Sequence, residues 1–210
     1  MSATDRLPTA ATASAESKLQ DPYCFGLQEI PEASQLRHQA SGDPALFENA
    51  DLFTHLARGL AYTVGSALGS TPPSIETCLE AYLVSNSQGL TAGSRAWSKH
   101  SHRSQPQPSD EEEKDKRRRS EGWWGVTRGP VAVINEKSLT IFHKVMDTAT
   151  WRNLHWLPHQ VLVYEVRVAE GYGMRWSQNQ AEGEPQPWIF RGFLEPTMEN
   201  GHELKWRHPV

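Results

Sequence analysis

The stretch VLVYEVRVAEGYGMRWSQ, residues 161–178, decides the fold class. From Val161 to Val168, Leu162, Tyr164, Val166 and Val168 alternate with Glu165 and Arg167. That period of two belongs to a strand with one apolar face. Glu170-Gly171 carries the chemistry of a hairpin turn, and GYGMRWSQ returns as a partner strand. Further on, PWIFRGFLEP (187–196) sets Trp188, Phe190 and Gly192 against Ile189, Arg191 and Phe193, a third alternating segment. Short links between such strands favour an antiparallel sheet.

Upstream of the strands the period changes. NEKSLTIFHKVMD (135–147) places Leu139, Phe142 and Met146 on one helical face, with Asn135 as cap. The preceding GPVAVIN reads as a short apolar strand, and TATWRNLHWLPHQ (148–160) follows neither period and is expected as a loop. LFENADLFTHLARGLAYTVGSAL (46–68) predicts a helix stopping at Gly69, and a second helix follows Pro72 and Pro73 with Ile75, Leu79, Tyr82 and Leu83 as its stripe. The predicted fold is α+β: an N-terminal helical hairpin packed on a mainly antiparallel sheet with one main helix in the C-terminal half. Residues 1–43 read as a mostly disordered leader. Residues 44–210 read as one domain, interrupted by a flexible charged insert at 101–121, where SHRSQPQPSDEEEKDKRRRSE offers nothing to bury.

Composition sets further bounds. Mean hydropathy is -0.62, and no apolar run approaches the roughly 20 residues of a membrane span. Cys24 and Cys78 stand apart, with no CxxC pattern and no disulfide framework. Net charge is -4, and residues 97–210 hold sixteen basic against fifteen acidic side chains. With no basic excess, nucleic acid is disfavoured as a partner. The expected compartment is the cytoplasm. KDKRRR at 114–119 offers the nucleus as an alternative, although DEEE beside it neutralises the run.

The chemistry concentrates late in the chain. All eight tryptophans and seven of nine histidines lie from Trp97 onward. In HWLPH, His155 and His159 have the spacing of a zinc helix, but Pro158 breaks any helix and no third ligand is near. In the tail NGHELKWRHPV, His202 and His208 lie about 20 Å apart on a strand. On a helix they would lie about 9 Å apart. Either spacing is too long for one metal, so neither metal nor cofactor is predicted.

The recurrent pattern is arginine beside an aromatic residue, in TWRNLHW, GMRW, WIFRGF and LKWRH. Guanidinium groups stack on rings and fork onto anions. The predicted ligand contacts are Arg152, Arg175, Trp176, Arg191, Trp206 and Arg207. The predicted catalytic groups are His155, His159, His202 and Glu203, with Glu195 or Glu203 orienting a histidine. Together these predict that a small anionic or aromatic compound is bound or transformed in a cleft lined by Trp, Arg and His. A protein-interaction module using a Trp- and Arg-rich surface is the alternative, and a mononuclear metal protein the third. Walker, GxGxxG and GxSxG patterns are absent, which disfavours nucleotide hydrolysis and dinucleotide redox chemistry.

Overall fold

A computed structural model describes residues 19–42, 47–104, 122–181 and 183–197. Its centre is a four-stranded antiparallel meander: β1 (Trp151–Leu157), β2 (Val161–Arg167), β3 (Gly173–Asn179) and β4 (Ile189–Leu194), in spatial order β1-β2-β3-β4. Before the sheet come α1 (Ala33–Gly42), α2 (Ala50–Ala57), α3 (Ile75–Leu83), α4 (Ala92–His100) and the long α5 (Val131–Thr148). The class is α+β, as the periods predict.

One face of the sheet holds the main core. Leu154, Leu162, Tyr164, Val166, Met174, Trp176, Phe190 and Phe193 meet α3, α4 and α5 there. On α5, Ser138, Phe142, Val145 and Met146 are buried, the i, i+4, i+7, i+8 stripe of an amphipathic helix. Local chemistry starts the shorter helices. Asn49, Ser74 and Thr91 accept hydrogen bonds from the backbone N–H of Leu52, Thr77 and Ser94. Tyr82 stitches α3 to α5 through its hydroxyl, 2.6 Å from the Ser138 hydroxyl and 2.8 Å from the Ser138 carbonyl. Three tryptophan N–H groups join elements inside this core: Trp97 donates to the Trp124 carbonyl, Trp124 to the Glu195 carboxylate and Trp176 to the Cys78 carbonyl.

The second face is only partly covered. The backbone of Tyr23 and Phe25 bonds to Thr150 and Ala169, which brings Cys24 and Leu27 against Trp151 and Ala61. Residues 61–67 run along the edge of β1, with Ala61 N–H donating to the Arg152 carbonyl and Ala67 N–H to the Leu154 carbonyl. This segment satisfies a sheet edge that would otherwise be open. Glu165 and Arg167, polar alternates in the sequence, are therefore buried and bonded to each other.

Four local expectations change. GPVAVIN opens α5 and is not a strand: Pro130 occupies the N-cap and Ile134 packs against the core, while Val131 and Val133 stay exposed. TATWRNLHWLPHQ contains β1. Its alternation is masked because Trp151 and Leu154 are buried on opposite faces. The helix expected to reach Gly69 ends at Ala57, and α2 packs with α1 while α3 packs with α4 and β4. Within residues 19–42, read as leader, α1 carries the buried Arg37. Of the charged insert, Ser101–Ser104 form a 3-10 turn, and 105–121 lie outside the described residues, as do the basic run at 114–119 and the tail from 198.

Candidate functional site

Register places the polar side chains of the second face in two rows. Asn153, Glu165, Arg175 and Gly192 pair across the sheet in one row, and His155, Val163, Ser177 and Ile189 in the next. Adjacent strands lie about 4.8 Å apart, so His155 and Ser177 are separated by roughly 10 Å of sheet.

Beside these rows is a cleft of about 850 Å³. Val161 and Ile189 give it apolar surface with Val163 buried beneath, the β1–β2 turn at Pro158 and His159 borders one side, and Gln186 and Pro187 border another. Arg175, Arg191, Ser177 and Asn179 bring polar atoms into it. Arg191 arrives through a β-bulge. Arg175 pairs with Gly192 and Trp176 with Phe190, so Arg191 is the extra residue. A bulge re-aims a side chain and shifts the alternation beyond it. This is why Phe190 and Phe193 share the core face, 5.6 Å apart, against the alternation expected for WIFRGF.

The ionisable groups differ in how they are partnered. Arg167 donates to Glu165 at 2.5 Å and to the Gly171 and Glu195 carbonyls, so that charge is spent on structure. Arg175 and Arg191 have no carboxylate within ion-pair distance among the described residues. His155 lies half-buried in β1, and its Nδ1 is enclosed without a hydrogen-bond partner. Burial lowers its pKa from 6.5, Glu165 pulls it back up and Arg175 lowers it again. The ring is neutral at physiological pH and has no bond to protein among the described residues. A buried polar atom without a partner needs an explanation, and a proton-transfer role is one.

The predicted site residues separate accordingly. His159, Arg175 and Arg191 line the cleft, and His155 stands in the adjacent position on the same face. Arg152 points the other way and donates to the Met146 and Ala149 carbonyls at the end of α5. Trp176 is fully buried in the core. His202, Glu203, Trp206 and Arg207 lie outside the described residues. Glu195, considered as an orienting carboxylate, accepts from the Trp124 indole instead, and burial raises its pKa. The cleft lining mixes aliphatic, proline and polar side chains and holds no tryptophan. Ser177, Asn179 and Gln186 were not singled out. Arg175, Ser177 and Asn179 do share the period-two signal, but only if β3 is carried one residue past GMRWSQ.

Among the described residues no group of three or more His, Cys, Asp or Glu is close enough to hold a metal ion. No helix among them is long and apolar enough to cross a membrane.

Residues 112–195 match the family model described as the CdiA C-terminal tRNase toxin domain. The match covers fewer than half of the residues, but it spans α5, the whole sheet and the cleft. Comparison with curated proteins and with solved structures returned no match. The family likeness corrects two expectations. It replaces the small anionic or aromatic compound, together with the interaction-module and metal-protein alternatives, by a nuclease-like reading. It also overturns the view that nucleic acid is disfavoured as a partner.

Proposed function

We propose that the protein is a ribonuclease that cleaves tRNA on the second face of its sheet. One observation carries the reading: within the matched segment, a half-buried imidazole and two arginines with no carboxylate in ion-pair distance among the described residues share one face of the sheet. Arg175 and Arg191 suit a phosphodiester, because a guanidinium forks onto two phosphate oxygens. His155 accepts the proton of a ribose 2′-hydroxyl. The 2′-oxygen forms a bond to the neighbouring phosphorus and the bond from phosphorus to the 5′-oxygen breaks, leaving a 2′,3′-cyclic phosphate. His159, on the cleft wall, is the group placed to give the leaving 5′-oxygen its proton. The charge that builds on the phosphoryl oxygens falls to the arginines, and Glu165 offsets the positive charge that His155 acquires. Because tRNA is its substrate, the cytoplasm is its proposed place of action.

The test is incubation of the purified chain with tRNA, with fragments read on a denaturing gel and their ends analysed for cyclic phosphate. The expected result is cleavage that falls about 10²–10⁴-fold in His155→Ala, the usual worth of a general base. Arg175→Ala should fall as well. Intact tRNA, or cleavage undiminished in both variants, would sink the proposal.

A further inference from the structure

The cleft is asymmetric, and its asymmetry names the form of RNA it takes. The positive charge enters from Arg175 and Arg191, whereas the apolar surface is aliphatic and each border carries one proline. Phosphate contacts fix position, and contacts to base edges fix identity. Two amides stand ready for the second task. Asn179 is held by the Ala181 N–H, which donates to its Oδ1 at 3.0 Å, so its NH2 group remains without a partner among the described residues. The Gln186 N–H donates to the Asn179 carbonyl at 2.9 Å, which keeps the opposite wall against the end of β3 and leaves the Gln186 side-chain amide unengaged.

We propose that this cleft takes one unpaired nucleotide, with its phosphate on Arg175 and Arg191, its base over Val161 and Ile189, and the base edge against the amides of Asn179 and Gln186. The inference rests on the ribonuclease reading and specifies its substrate as a single-stranded or looped segment. Size supports it. A volume of about 850 Å³ falls within the roughly 300–1,000 Å³ of pockets that enclose a small ligand. The apolar surface lies on the face of the sheet, so a base must leave its stack to lie flat against it. Bases that do so expose the pairing edges by which RNA sequence is read.

Binding tests the inference apart from cleavage. Full-length His155→Ala is titrated, by fluorescence anisotropy, with a labelled RNA oligonucleotide, alone or annealed to its complement. Single strands of each base composition are then compared. The expected result is at least tenfold tighter binding of the single strand, with one base composition favoured. Gln186→Ala, and separately Asn179→Ala with Gln186→Ala, should flatten the preference among bases. Gln186→Ala should do so with no change in melting temperature, which distinguishes lost recognition from lost folding. Duplex bound as tightly as the single strand, or an unchanged base ranking in both variants, overturns the inference. Wild-type cleavage of duplex and single strand at equal rates overturns it while leaving the ribonuclease reading intact. Absence of both binding and cleavage for every RNA overturns the two together.

Discussion

His155 is a half-buried imidazole with a lowered pKa, and its chemistry has a definite pH signature. In the proposed mechanism the neutral ring is the base, so its contribution is lost as pH falls below 6.5 through the lowered folded value. A profile of kcat/KM against pH should show its acid limb below 6.5, and a limb above 6.5 would contradict the role given to burial. Arg152 makes the contrasting case. It carries the same sequence signature as Arg175 and Arg191, yet it donates to the carbonyls at the end of α5. Helix-end carbonyls need such donors. Arg152→Ala should therefore cost about 1 kcal/mol of stability in denaturant titration, with kcat preserved in the folded fraction. A large fall in kcat without a change in stability would return Arg152 to the site. Arginine beside an aromatic residue was legible in the sequence, but which arginines are spent on structure was not. That choice depends on whether a carbonyl or carboxylate from a distant segment lies nearby.

At the scale of elements, two backbone features shape the molecule near its site and its core. The β1–β2 turn holds His159 and Gln160 at φ of 64° and 56°, the left-handed region. For a residue with a Cβ, this costs roughly 1–2 kcal/mol. Gln160→Gly removes that strain at some cost in unfolded-chain entropy, and should raise the melting temperature by an amount worth up to about 1 kcal/mol. A lower melting temperature would show that the Gln160 side chain matters more than its backbone. Gly93 in α4 answers to space, not dihedral freedom. A Cβ there would lie 2.0 Å from the Tyr82 ring, which is locked by its bonds to Ser138. Gly93→Ala should destabilise by about 1–3 kcal/mol, the range for overpacking a filled core, as read from denaturant midpoints. The strand at 161–167 and the C-terminal half of α5 were legible because each has one apolar face. β1 was not, because cover from residues 23–27 and 61–67 makes both of its faces partly apolar.

On the scale of the whole molecule, the segment before α2 is held together by ionic contacts and joined through Glu29 to the segment that runs beside β1. Arg37, 1% exposed, donates to Asp21 at 2.6 Å and to both carboxylate oxygens of Glu29, and Glu29 accepts the Tyr62 N–H. Removing one partner from a buried pair costs about 3–5 kcal/mol, so Arg37→Ala should unfold at markedly lower denaturant. An unchanged midpoint would mean that residues 19–42 contribute little to the fold. Stability should also fall in mild acid. Burial lowers the pKa of His55, so the folded state favours its neutral form. The stabilisation is complete above 6.5 and is lost as pH drops through the lowered folded value. Melting temperatures from pH 7 to pH 5 should show the decline. Charge explains why composition disfavours nucleic acid where the family likeness favours it. A net charge of -4 sums over the chain, whereas a bound phosphate responds to charges within a screening length of about 8–10 Å. Arg37 and Arg167 form ion pairs with carboxylates, whereas among the described residues Arg175 and Arg191 form none. The sequence by itself determined the α+β class, β2 and the cationic character of the last strands, because periodicity and residue type are local properties. Only the tertiary structure decided that β1 is a strand, that a bulge turns Arg191 into the cleft and that two arginines face it with no ion pair among the described residues. Those outcomes depend on which segments, distant in the chain, come to cover each face of the sheet.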